Sequence, residues 1–284
     1  MNKIEDLVDL LELDQIEENI YKGDSHRTPW KRVYGGQVLA QAMTAANRTV
    51  PADRFVHSMH GYFILAGDID RPIVYNVDRL RDGGSFTTRR VVAIQHGKAI
   101  FNAAFSFQLE QEGLDHQISM PNVPMPDMLA TDLQILEPFR DRIGESRMQI
   151  YLNRPIEFRP VEKITPFEDR ERSPMRHIWF KAKGQLPDNK RLHQQILAFA
   201  SDYNLLTTAV LPHLDEIKIH QCFLASLDHA MWIHRDFRAD EWLLYAVDSP
   251  SASNSRGFTR GNIFNEQGIL VASVVQEGLI RRRK

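Results

Sequence analysis

The sequence predicts an α+β protein in which one structural unit occurs twice, each unit a curved antiparallel sheet wrapped around a central helix. Three observations lead there. Two apolar stretches of helical character, GGQVLAQAMTAANRTV (35–50) and LHQQILAFASDYNLLTTAVL (192–211), are each followed by four strand-like runs separated by turn signals. A proline-rich segment of different character lies between the two series. Tyr75-Asn76-Val77-Asp78 is echoed by Tyr245-Ala246-Val247-Asp248, and so long a repeat points to a duplicated domain, not a solenoid. A single α+β domain without internal symmetry is the alternative.

Taken in chain order, the first 20 residues suggest a short amphipathic helix with Leu7, Leu10, Leu11 and Ile16 as its apolar stripe. The stretch opened by Gly35 and Gly36 carries no acidic side chain and is apolar on all sides, so it is expected to be buried. Runs 54–65, 72–80, 85–95 and 99–109 follow, with Asp82-Gly83-Gly84 and His96-Gly97 spaced as hairpin turns. From Gly113 to about Arg147 the chain holds Pro121, Pro124, Pro126 and Pro138, and DMLATDLQILEPFRDRI suggests a short helix; this reads as a connector. Strand-like 156–161 and 177–184 then precede the second central helix. Runs 221–234, 242–247, 257–265 and 269–280 come after it, parted by the Ser-rich SPSASNSRG and by Asn265-Glu266-Gln267-Gly268. The expected organisation is therefore residues 1–112, a connector 113–147, and residues 148–284. A curved sheet covering an apolar helix on most sides is the arrangement called a hotdog, and the chain is expected to be a double hotdog.

Composition narrows the function classes. The 284 residues are 43% hydrophobic and 25% charged, enough for a sizeable core. A net charge of −2 lacks the basic excess of a general nucleic-acid binder. The single cysteine, Cys222, admits no intramolecular disulfide and fits a reducing compartment. The acidic amphipathic start is unlike a secretory signal, no run suits a bilayer span, and GLIRRRK is not a Ser-Lys-Leu ending. A cytoplasmic location is expected.

The residue that asks for an explanation is Asp202. On a helix its neighbours three and four positions away are Ala198, Phe199, Leu205 and Leu206, all apolar. Burying an unpaired carboxylate costs several kcal/mol. The residue is then a helix N-cap, half of a buried ion pair, exposed through a rotated helix, or functional. The corresponding helix of the first half has no Asp or Glu, which favours a site present in one half only.

YGGQVLAQA (34–42), VHSMHGYF (56–63), RDGGSFTTRRV (81–91), ASDYNLL (200–206), LDHAMWIHRDF (227–237), EWLLY (241–245), SASNSRGF (251–258) and VASVVQEG (271–278) resemble the acyl-CoA thioesterase II family, in order, from about Leu7 to Gly278. The resemblance implies a double-hotdog enzyme that hydrolyses acyl-CoA to free acid and CoA. It also implies a reactive trio of Asp202, Ser226 and Gln276, with Ser226 where many bacterial members have Thr. An older histidine proposal for the family would fall on His57, in the half without the carboxylate. The family's habit is a homo-oligomer, a dimer or tetramer.

The trio suits thioester hydrolysis. An ionised Asp202 accepts a proton from water, partial burial raises its basicity, and Ser226 and Gln276 fix the water's line of attack. Backbone N–H groups at the start of the central helix are natural oxyanion donors. Ser226 as a covalent nucleophile is the competing mechanism, but no Gly-x-Ser-x-Gly elbow exists and a strand would turn His229 to the opposite face. His57, His60, His229 and His234 lack the company of a metal motif, and neither metal nor redox cofactor is expected. Arg89, Arg90, Arg256 and Arg260 are either CoA-phosphate contacts or solvated hairpin positions. Trp232 and Trp242 read as core before acyl-channel lining. A non-catalytic acyl-CoA carrier and an acyl thioester hydratase or dehydratase are the alternatives on the same frame.

Overall fold

Helix α1 (Ile4–Leu11) buries Ile4, Leu7 and Leu11 and stops there, one residue short of Glu12 in extended conformation. The expected helical stripe through Ile16 is incorrect. Ile16 is 56% exposed on strand β1 (Asp14–Glu17), which pairs with β2 (Ile20–Gly23). Asn19, at φ 61, turns this hairpin; a single left-handed Asn is the signal that a helical reading overlooks.

The computed structural model describes residues 3–28, 31–163, 165, 173–217 and 219–282. The last two residues of the closing basic run, Arg283 and Lys284, lie outside these. Central helix α2 (Gly35–Asn47) is buried from Gly36 to Asn47, as its mostly small and aliphatic content without acidic side chains leads one to expect. Strands β3 (Arg54–Phe63), β4 (Ile73–Asp82), β5 (Phe86–Gln95) and β6 (Lys98–Leu109) follow, and α2 contacts each of them as well as β2. The connecting region carries α3 (Asp132–Leu136), α4 (Arg140–Ile143) and α5 (Glu145–Leu152) where one short helix was expected. Then come β7 (Ile156–Pro160), β8 (Met175–Ala182), the second central helix α6 (Lys190–Ser201) and a short α7 (Leu205–Thr208). Strands β9 (Cys222–Ser226), β10 (Asp228–Ile233), β11 (Leu243–Ser253), β12 (Arg256–Asn265) and β13 (Leu270–Arg282) complete the chain.

The fold is a double hotdog. Among the described residues all strands belong to one antiparallel sheet of order β1-β2-β4-β5-β6-β3-β10-β13-β12-β11-β8-β7, with β9 also on β13. The halves join where β3 pairs with β10, from Asp228 opposite Tyr62 to Trp232 opposite Ser58. The echoed tetrapeptides hold equivalent places. Tyr75 on β4 donates its hydroxyl to Gln41 on α2 (2.7 Å), and Tyr245 on β11 donates to the Ser201 carbonyl of α6 (3.1 Å). Asp78 pairs with Arg90 and Asp248 with Arg260, each across a hairpin.

Two turn readings differ. His96 (φ 50) and Gly97 (φ 70) make the tight turn that the sequence announces. SPSASNSRG, read as a turn, is mostly strand: β11 runs through Pro250 with a register shift between Asp248 and Ser251, and only Asn254 (φ 47) and Ser255 (φ 60) turn. The bulge absorbs the proline that would otherwise interrupt the ladder.

Candidate active site

Helix α6 starts on the Asn189 cap and ends at Ser201; Asp202, at φ −79 and ψ −13, is its C-cap. The expected single helix through residue 211 is broken by Asn204 at φ 64. The carboxylate nonetheless faces inward, with Ala198, Phe199, Leu205 and Leu206 all buried. The donors to its carboxylate are Gly36, Ser226 and Gln276, none of them an N–H of its own segment. Asp202 meets the other half instead, because the two central helices lie side by side in opposite directions. At one end Arg191 of α6 donates to the Asn47 carbonyl of α2 (3.0 Å). At the other, Tyr34 donates to the Phe199 carbonyl (3.0 Å) and the Gly36 N–H donates to Asp202 Oδ2 (2.9 Å).

This approach needs the glycine pair. A Cβ on Gly36 would lie 2.3 Å from the Phe199 carbonyl oxygen, and one on Gly35 would lie 2.7 Å from Asp202 Oδ2. The positive end of α2 thus faces the carboxylate. The neutral donors around Asp202 answer the ion-pair reading: Gly36, Gln276 and Ser226 hold it, not a cation. Burial raises its pKa above the ordinary 3.8, and the hydrogen bonds from Gln276, Gly36 and Ser226 oppose that rise.

Ser226 and Gln276 arrive on adjacent strands. Gln276 Nε2 donates to Asp202 Oδ1 (2.8 Å) and lies 3.1 Å from Ser226 Oγ. Ser226 Oγ is 3.4 Å from Asp202 Oδ1, longer than an ordinary O–H···O contact. The structure therefore brings together all three residues singled out in the sequence.

It adds a fourth. His229, expected on the opposite face from Ser226, lies beside them: its Nδ1 is 3.2 Å from Gln276 Nε2 and its Nε2 is 3.0 Å from Ser201 Oγ. The reason is a bulge. Ser226 opposes Gly278 and Ala230 opposes Val275, so four residues advance against three. Leu227 donates to the Glu277 carbonyl while the Asp228 carboxylate accepts from the Glu277 N–H. The extra residue inverts the alternation and turns Ser226 and His229 to one side. Burial drives the pKa of His229 down to about 3, so the ring is neutral.

Ser226 and Gly35 open onto a cavity of about 560 Å³ whose other walls include Val38, Phe63, Ile100, Phe101 and Phe223. Tyr34 separates this space from a smaller one of about 200 Å³ lined by His26, Arg27, Gln149 and Arg154.

The remaining candidates sit elsewhere. His57 pairs with Ser106 (2.8 Å) and lines a different cavity with Lys190 and Gln194. Arg89 is neither solvated nor open to phosphate: it is fully buried and donates to Thr49, Arg81, Thr88 and Asp82. Arg90, Arg256 and Arg260 pair with Asp78, Glu277 and Asp248. Trp242 packs with Trp179 against connector residues Met120, Val123 and Leu129, away from the cavity. Among the described residues no group of three His, Cys, Asp or Glu could hold a metal ion, and no helix is long and apolar enough to cross a membrane.

Residues 26–108 match the model of an acyl-CoA thioesterase N-terminal domain, and residues 146–279 match that of acyl-CoA thioesterase. The chain is 40% identical to human acyl-coenzyme A thioesterase 8, over 96% of this chain and 88% of that one. It is 36% identical to acyl-CoA thioesterase 2 of Haemophilus influenzae, over 98% of each. A crystal structure of an acyl-CoA thioesterase II from Mycobacterium marinum superposes with a TM-score of 0.81 at 42% identity, over 97% of this chain and 98% of that one.

Proposed function

The chain belongs to the acyl-CoA thioesterase II family, and from that premise we propose that Asp202, Ser226 and Gln276 hydrolyse the thioester by directing one water at its carbonyl carbon. The enzyme is an acyl-CoA thioesterase; the residues, their roles and a medium to long acyl chain are the proposal. One observation carries it. A half-buried carboxylate of raised pKa is held by a serine hydroxyl and a glutamine amide beside a largely apolar cavity.

Asp202 takes a proton from the water as its oxygen bonds to the carbonyl carbon. The Ser226–Asp202 hydrogen bond is long, at 3.4 Å, so the Ser226 hydroxyl can turn to hold the same water while Gln276 fixes the carboxylate. Of the first N–H groups of α2, that of Gly36 is engaged by Asp202. The N–H of Gly35, which lines the cavity, suits the developing oxyanion. Collapse of the tetrahedral species expels the CoA thiolate, a fair leaving group because thiol pKa values lie near about 8.5. The products are the carboxylic acid and CoA. A cavity of about 560 Å³ falls within the roughly 300–1,000 Å³ of small-molecule pockets, and its aromatic and aliphatic walls suit the acyl portion of the substrate.

Rapid-quench kinetics test water against acyl-enzyme. With substrate in several-fold excess over micromolar enzyme, CoA release is expected to be linear from the first turnover, and Ser226→Ala is expected to slow it by about 10-fold without abolishing it. A stoichiometric burst of CoA with acyl trapped on Ser226 would overturn the mechanism.

A further inference from the structure

We infer that His229 is a positioning residue: held in one tautomer by Ser201, it fixes which end of the Gln276 amide faces Asp202. The inference rests on the proposed role of the Asp202–Gln276 pair and deepens it.

The last four carbonyls of a helix lack intrahelical donors, and at the end of α6 each has another. Phe199 accepts from the Tyr34 hydroxyl, Ala200 from the Tyr203 N–H, Ser201 from the Tyr245 hydroxyl, and Ala198 from the Ser201 hydroxyl (3.0 Å). Ser201 is fully buried, and its oxygen is 3.0 Å from both the Ala198 carbonyl and His229 Nε2; the carbonyl can only accept whereas the imidazole can donate, so the single hydroxyl proton is assigned to Ala198. The hydroxyl oxygen can then only accept at the 3.0 Å contact with His229 Nε2, so Nε2 carries the imidazole proton. The ring is fully buried and neutral, which leaves Nδ1 with a bare lone pair. That lone pair lies 3.2 Å from the Gln276 side chain and requires an N–H donor there.

Gln276 is also fully buried. One hydrogen of its Nε2 goes to His229 Nδ1 and the other to Asp202 Oδ1 at 2.8 Å. Its Oε1 is buried and takes no donor among the described residues, so the Nε2 side alone sets the orientation. A flipped amide would set its oxygen against two acceptors, the His229 lone pair and the carboxylate, with only the Ser226 hydroxyl, 3.1 Å away, able to donate to it. The relay Ala198–Ser201–His229–Gln276 keeps an N–H pointing at the base. Sequence reasoning had turned His229 away, because only the bulge beside Leu227 brings it round.

Asparagine places an acceptor where His229 Nδ1 stands; leucine does not. His229→Leu is expected to lower kcat by about 10- to 100-fold with KM within about twofold, whereas His229→Asn should recover most of the loss. Ser201→Ala frees the imidazole proton. It is expected to lower kcat with KM unchanged and to shift the imidazole ¹⁵N signals of His229 away from the Nε2–H tautomer. Full activity of His229→Leu would overturn the inference, as would equal losses in the leucine and asparagine variants at matched melting temperatures. If His229→Leu does not fold, Ser201→Ala decides: unchanged kcat, or an unchanged tautomer, overturns it. Asp202→Asn measured alongside separates the two levels. An inactive Asp202→Asn with a fully active His229→Leu sinks only the relay, while an active Asp202→Asn sinks the site itself.

Discussion

Asp202→Asn is expected to lower kcat by about 10²–10⁴-fold, the range over which a positioned base acts, with KM and fold retained. Asparagine keeps one acceptor oxygen, which can serve Gly36 or Gln276 but not both because they donate to different carboxylate oxygens, and it loses the capacity to take a proton. The sign of the charge's effect on stability follows from the raised pKa of Asp202. A carboxyl whose folded pKa exceeds its unfolded value stabilises the fold below the unfolded value, and that contribution is lost as pH rises through the folded pKa. At neutral pH the wild type holds a desolvated charge there; the amide variant is relieved of it but leaves one of the two donors facing an NH2 group, so the two effects oppose each other and the melting temperature is expected to change little. The same shift sets the pH profile: wild-type kcat/KM should rise with pH through a value above 3.8, and this limb should be missing from the residual activity of the variant. An unchanged kcat, or a profile that keeps the limb, contradicts the assignment.

Gly35→Ala is expected to lower kcat by about 100-fold while the protein still folds. At the first position of α2, alanine is the better helix former by about 1 kcal/mol, so helix formation is not the casualty. The new methyl would lie 2.7 Å from Asp202 Oδ2 and 3.0 Å from Phe63 Cζ. Both are side-chain atoms that can yield, and the carboxylate is the one whose place matters. A displacement of about 1 Å at a reacting group costs about 10²-fold. Steady-state kinetics with circular dichroism checks this; wild-type kcat would show that the carboxylate does not work where it sits.

Much of this site was legible before the coordinates. The carboxylate among Ala198, Phe199, Leu205 and Leu206 betrayed itself because burial of a charge needs a reason, and a one-sided charge in a repeated frame needs a local one. The family resemblance, not periodicity, brought Ser226 and Gln276 to it. What the sequence hid was hidden by single residues that break a period. Asn19 ends the helical reading of the N-terminus, Asn204 ends α6 near Asp202, and the bulge at Leu227 reverses the face of every residue before it. A period-based reading propagates one parity along a strand, so it turned His229 outward. Nor could it see that Asp202 meets the first turn of the other half's helix, since that depends on how the two helices run past one another. Arg89 escaped for a related reason: its carbonyl acceptors at Thr49, Arg81 and Thr88 are backbone atoms that side-chain patterns do not mark.

The most direct test of the hydrolytic trio is a crystal structure of the Asp202→Asn variant with an intact long-chain acyl-CoA. The expected result is an ordered water within hydrogen-bond reach of residue 202 and Ser226, in line with the thioester carbonyl carbon. The carbonyl oxygen should lie on the Gly35 N–H, and the acyl chain between Phe63, Phe101 and Phe223. A thioester bound away from residue 202, or seated with Ser226 Oγ in the attacking position and no room for water, would contradict the account.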